Sequence, residues 1–262
     1  MSDYGETDFA ALAPFRRAIE IICDGDTLAS AEVEDDHHHF RVELRAKDGK
    51  IVKVDGTAIR NPWTLCPLAA NELGDLVGSP VSRDPAAVLS YANIRHQCTH
   101  MFDLAGLAAA ALGRGGAAFR RYEMMVAQIE ENLWTAELSR NDGYVLKWES
   151  KLGEIAKPAD LEGRSLKAPF AEWARHYYDE DGFEAALVLR RAIFVGKFRH
   201  KHNLDLRLTA ADGSQIIGGC FVMQPERAGL ARRNKGATIS FPMSAPGPLS
   251  CAHPAAPKST TE

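Results

Sequence analysis

The chain lacks any apolar run near the roughly 20 residues that a membrane-crossing helix needs. Its first residues carry Asp3, Glu6 and Asp8 where an export signal would be positive. A soluble, cytoplasmic protein is expected. An excess of basic charge is missing too, since the formal net charge is -4 and the lysines and arginines are scattered. Neither nucleic acid nor an anionic membrane is favoured by such a balance. The glycine-rich run Gly113-Arg114-Gly115-Gly116 has no Gly-Lys continuation, and no Gly-x-Ser-x-Gly elbow, His-Glu-x-x-His pair or calcium loop occurs. Phosphate transfer and serine hydrolysis therefore lose support, and small molecules remain the better partner class.

Cysteine is sparse, with five thiols (Cys23, Cys66, Cys98, Cys220 and Cys251) and no Cys-x-x-Cys pair. An odd count at irregular spacing in a chain of this length reads as reduced cysteine rather than a disulfide framework. What is present is ordinary globular composition: 262 residues, 45% hydrophobic and 25% charged, enough for one large domain or two small ones.

Three segments repeat one pattern, an alternating apolar run, Asp-Gly, then a second run. They are 42–54 around Asp48-Gly49, 136–146 around Asp142-Gly143, and 206–217 around Asp212-Gly213. Asp-Gly between alternating runs is a strong hairpin signal, because both residues tolerate the positive φ of a tight turn. Helices are expected at 67–77 after Pro67, from Thr99 to about Gly113, at 169–178 and at 183–198. The reading is an α+β fold, with antiparallel sheets built from three hairpins and packed with about four helices. Phe15-Arg16-Arg17 and Phe119-Arg120-Arg121 each open a strand ahead of a hairpin, which suggests a weak internal duplication. Residues 1–115 form one half and 116–240 a second half packed on it. From 241 to 262 the Pro, Ala, Ser and Thr content predicts a mobile tail.

Polar chemistry gathers in two stretches, Asp35-Asp36-His37-His38-His39-Phe40 and His96-Gln97-Cys98-Thr99-His100-Met101-Phe102-Asp103. If the strand alternates with Phe40 inward, Asp36 and His38 share the core face, an arrangement suited to a tuned general base. On a helix His100 and Asp103, three apart, can meet on one side. These four are the candidate catalytic residues, and a solvated strand end or a satisfied buried histidine is the structural alternative. Cys98, if it caps the helix, sits where thiolate is favoured. With Cys66 and a histidine it would offer zinc the ligand types it prefers, although the spacing is no zinc motif and buried free cysteines are common. Arg60, Trp63, His39 and Phe102 are candidate substrate contacts. The cations Arg199, His200, Lys201 and His202 already have a structural explanation at a helix end.

As a set, Asp35-Asp36, His38-His39-Phe40, the Asp48-Gly49 hairpin, Arg60 with Pro62-Trp63 and Cys66-Pro67, and Gln97-Cys98-Thr99-His100 through Ala105 resemble a bacterial family, domain of unknown function 2889. The resemblance covers about the first 115 residues. His37 departs from the pattern and is the least favoured of the three adjacent histidines. The resemblance implies a cytoplasmic bacterial protein, some of whose relatives are associated with catabolism of aromatic compounds, including lignin-derived ones. Joined to the residue reading, it leads to an expected lyase that releases formaldehyde from a hydroxymethyl group of a small aromatic substrate by retro-aldol-like cleavage. A zinc-dependent hydrolase and a non-catalytic ligand- or metal-binding accessory protein are the alternatives. A homodimer is the base-rate expectation.

Overall fold

The computed structural model describes residues 13–201, 204–212 and 218–250. His202, the second arm of the third hairpin and the tail beyond 250 lie outside the described residues. Eight antiparallel strands form one sheet in the order β4-β3-β2-β1-β5-β6-β7-β8. They are β1 (Phe15–Asp24), β2 (Leu28–Asp35), β3 (His39–Lys47), β4 (Lys50–Arg60), β5 (Ala118–Glu130), β6 (Leu133–Arg140), β7 (Val145–Lys151) and β8 (Glu154–Lys157). The fold is α+β as expected, with the hairpins merged into a single sheet. Each half is a four-strand meander, followed by one α-helix in the first half and by two in the second, and the halves join where β1 pairs with β5.

Two of the Asp-Gly turns behave as their chemistry requires. Asp48 and Gly49 both take positive φ (51 and 71) in the β3–β4 turn, the geometry that matches strand twist. Asn141 to Tyr144 turns β6 into β7. The third does not form a hairpin among the described residues. Leu204–Leu206 is a 3-10 turn, and the Asp212 carboxylate accepts from the backbone N–H groups of Leu208 and Thr209. The segment pairs instead with residues 231–233: Thr209 and Arg232 form an antiparallel bridge, the Ala210 N–H donates to the Ala231 carbonyl and the Arg233 N–H to the Leu208 carbonyl.

Helix α1 (Thr99–Arg114) crosses β1, β2 and β3, while α2 (Phe170–Tyr177) and α3 (Glu180–Lys201) belong to the second half, α3 lying on β5 and β6. Alanine-rich α1 has buried residues at most positions because it is sandwiched between the sheet and Pro85–Ser90. Gly106 permits that approach, since a Cβ there would stand 2.2 Å from the Pro85 carbonyl oxygen. The helix expected at 67–77 is a 3-10 helix over Cys66–Leu76 that packs against β4.

Helices α1 and α3 cover one face of the sheet. Cross-strand partners share a face, so Ile19 opposite Tyr122 marks the core side. The repeated Phe-Arg-Arg triplets do not superpose: Phe15 and Arg17 are buried, whereas Phe119 is half-exposed on the other face. A one-residue offset in a strand reverses every side chain. Residues 242–249 run across that other face. Arg16 donates to the carbonyls of Pro242 and Ala245, Arg121 donates to Leu249, and the Leu249 N–H donates to Glu34. Among the described residues no helix is long and apolar enough to cross a membrane.

Candidate functional site

The two histidine stretches meet. Strand β2 ends at Asp35 and β3 begins at His39, so residues 36–38 are a turn and not a continuation of the strand. Asp35 closes that turn: its Oδ1 accepts from the backbone N–H of His37 and of His38, both at 2.9 Å, the local bonding to which aspartate is suited. The same carboxylate takes His38 Nδ1 at 2.9 Å and the Arg17 guanidinium from β1. His38 thereby has a fixed ring, and the residue lines a cavity. From the first turn of α1, His100 stacks on His38 with ring centroids 4.0 Å apart and planes 27° apart. Phe40 stacks on His100 in turn, at 5.8 Å.

Electrostatics separates the roles. Burial alone would raise the Asp35 carboxyl, but His38 and Arg17 outweigh it and hold its pKa well below the usual range. Burial, reinforced by the charges of His38 and Arg17, drives the His100 pKa well down, so this imidazole is neutral. Its Nε2 is buried without a hydrogen-bond partner among the described residues. His37, pushed to about 4 by burial and then by His38, is neutral as well.

Beyond His38 and His100 lies a cavity of about 300 Å³ between the start of α1 and the C-terminal half of α3. Its wall is aromatic, with Phe40, Trp63, Phe194, Phe198 and Phe221, and Arg191 stands at its polar end. Such a chamber, mostly apolar with a few convergent polar groups, has the size and lining of a small-molecule site.

The expected residues divide. His38, His100 and Trp63 come together at this cavity. Asp36 does not orient His38; the turn carries it to Arg199 of α3, with Oδ2 2.7 Å from Nε. Burial raises Asp36 to about 6, against the pull of Arg199. Asp103 does not pair with His100, because Arg191 takes its carboxylate at 2.5 Å. Phe102 is buried and lines a smaller chamber behind His100. His39 projects to the face opposite the helices and meets Glu32 at 2.5 Å. Arg60 also stays off the cavity, donating to the carbonyls of Asp35, Asp36 and Ala237, so it braces the turn from behind. Sequence reasoning passed over Asp35 and Arg17 as working residues. For Asp35 the signal was available: an aspartate two and three residues before potential turn donors.

Cys66 and Cys98 both line the cavity, and Cys98 is the N-cap of α1. Burial pushes its thiol up to about 12 and raises Cys66 far above its ordinary value. Desolvation thus overrides the helix terminus, and neither sulfur is a thiolate at neutral pH. Among the described residues the group whose ligand atoms lie within 4.8 Å of one another is Asp35, His38 and His100, without a cysteine. Those donors are of a type a divalent cation accepts. Arg17 already neutralises Asp35, however, and His38 Nδ1 is spent on the same carboxylate, which fits a proton-handling pair better than a cation site.

Residues 24–113 match a family described as "Protein of unknown function (DUF2889)", the family that the motifs resemble. No curated protein and no solved structure matches the chain.

Proposed function

For this chain, whose residues 24–113 match that family, we propose a lyase that cleaves a carbon–carbon bond of a small lignin-derived aromatic and releases a hydroxymethyl carbon as formaldehyde. One observation carries the reading: an imidazole oriented by a buried carboxylate, His38 on Asp35, faces an aromatic-walled cavity. In the proposed step the substrate hydroxyl gives its proton to His38 Nε2. The bond between the carbinol carbon and its neighbour breaks, and formaldehyde forms. The electron pair passes to the neighbouring carbon, which must be conjugated with an electron-accepting group of the substrate. The imidazolium then returns the proton to that carbon, leaving the arene shortened by one carbon.

Asp35 serves as the anion that steadies the imidazolium and fixes its tautomer. Neutral His100, stacked beside it, does not oppose proton uptake as a second cation would. Arg191, held by its ion pair with Asp103, lines the same cavity. Incubation with hydroxymethyl-bearing aromatics should yield formaldehyde, and His38→Ala, confirmed folded by circular dichroism, should slow release by about 10²- to 10⁴-fold. Wild-type turnover in that variant overturns the role of His38; saturable binding without product moves the protein to the accessory class.

The grouping of Asp35, His38 and His100 keeps a second reading in view, metal-assisted hydrolysis. Elemental analysis of the purified protein tests it: stoichiometric zinc lost in His100→Ala supports it, and zinc retained there removes this site as its holder.

A further inference from the structure

The charges around the aromatic cavity cancel. Among the described residues its walls hold no lysine, aspartate or glutamate, and Arg191 is their one arginine. That cation is already spent. Its Nε lies 2.5 Å from Asp103 Oδ2 and its second terminal nitrogen 3.2 Å from Oδ1, the two-pronged geometry in which a guanidinium meets a carboxylate. Asp103 itself lines the smaller chamber behind His100 and not the aromatic cavity, so the pair forms on the side away from the aromatic wall. Burial would lower the Arg191 guanidinium, and Asp103 outweighs it. At the other end Asp35 is shared between Arg17 and His38.

What the walls offer beyond His38 and His100 is uncharged polar chemistry, the Thr99 hydroxyl and the thiols of Cys66, Cys98 and Cys220, set among aromatic rings. A carboxylate ligand there would be buried without a counter-charge, which is costly, whereas a hydroxyl or carbonyl asks only for a hydrogen bond. We propose that the cavity selects uncharged aromatic alcohols and carbonyl compounds over aromatic carboxylates, and that Asp103 sets this preference by holding Arg191. The proposal rests on the reading of this cavity as the substrate site and narrows the substrate class. The electron-accepting group conjugated with the cleaved bond is then a neutral carbonyl rather than an ionised acid.

Benzyl alcohol and benzoate, similar in size but different in charge at neutral pH, are the probes, read by the indole signal of Trp63 in the wall. Benzyl alcohol should bind the wild-type protein about tenfold more tightly than benzoate, the scale of one unmade charge-assisted contact. Asp103→Asn keeps the side-chain shape and frees Arg191, so benzoate affinity should rise about tenfold while that for benzyl alcohol stays within about twofold. Val195→Lys adds a cation to the wall without touching the ion pair; it too should admit benzoate, and it decides the matter if Asp103→Asn does not fold. Benzoate bound as tightly as benzyl alcohol by the wild-type protein overturns the proposal. Benzoate still refused by folded Asp103→Asn overturns the part of Asp103, and refusal by Val195→Lys overturns charge as the basis of selection. Binding of neither probe to the wild-type protein overturns the cavity as a ligand site. Selective binding of benzyl alcohol with no formaldehyde from any hydroxymethyl arene overturns the lyase reading and leaves the selectivity standing.

Discussion

Each half of the molecule buries one carboxylate completely, Asp35 in the first and Glu184 in the second, and the two are surrounded differently. Glu184, on α3, accepts from Arg114 at 2.7 Å, Arg120 at 3.0 Å and the Tyr122 hydroxyl at 2.7 Å. Burial and the adjacent Glu184 push the Tyr122 phenol above its usual range, and arginine does not release its proton. The group ties the end of α1 and strand β5 to α3. Asp35 has one arginine, but its other side-chain partner is an imidazole beside a cavity. What separates a lock from a candidate reaction centre is therefore the partner's chemistry, an imidazole in place of arginines and a phenol, and its access to a chamber, since burial of the anion is common to both.

The sharpest way to break the comparison is to neutralise each carboxylate. Asp35→Asn strands Arg17, and unpairing a buried charge costs about 3–5 kcal/mol; both urea stability and turnover should fall. Glu184→Gln should cost about 3 kcal/mol, nearer the low end because Arg114 and Arg120 keep some contact with solvent, and ligand binding in the 300 Å³ cavity should be unchanged. Equal loss of binding in the two variants would erase the distinction.

A smaller effect sharpens it through pH. His37 (about 4) and His100 have folded pKa values below their unfolded ones, so between pH 7 and 5 the unfolded chain takes up protons that the folded chain refuses. Stability from these groups is present above about 6.5 and is lost on acidification, by roughly 1–2 kcal/mol per histidine. Asp36, raised to about 6, acts in the opposite sense by binding a proton in the folded state over the same window. Urea midpoints should thus drop from pH 7 to pH 5, His37→Asn should flatten the slope, and Asp36→Asn should steepen it. A midpoint that rises on acidification contradicts the neutral histidines. Least affected should be His39→Ala, whose partner Glu32 lies on the far face: under about 1 kcal/mol in stability and unchanged turnover. A large loss of activity there would mean that the far face takes part.

Local chemistry was readable where it decided the structure locally. The Asp48-Gly49 and Asp142-Gly143 turns, the helix from Thr99 and the inward register of Phe40, Val42 and Leu44 all follow from turn propensity and periodicity. That His38 and His100 meet does not follow from those patterns and depends on α1 docking against β2 and β3. The partner of His38 was misread as Asp36, because period-two alternation was carried through residues that form a turn. Cys98 shows the same limit: a capping position predicts thiolate, but desolvation by distant segments reverses it.

By itself the sequence determined the class of fold, two hairpin turns and the two histidine-bearing stretches, since these depend on neighbours within a few residues. Tertiary structure alone decided that Asp35 faces Arg17 across β1 and β2, that Arg191 and Arg199 arrive from α3, and that Phe194, Phe198 and Phe221 enclose the cavity. Those pairings join residues far apart in the chain. Which carboxylate meets which cation depends on strand register and helix docking, which the packing of the whole core sets and no local pattern encodes.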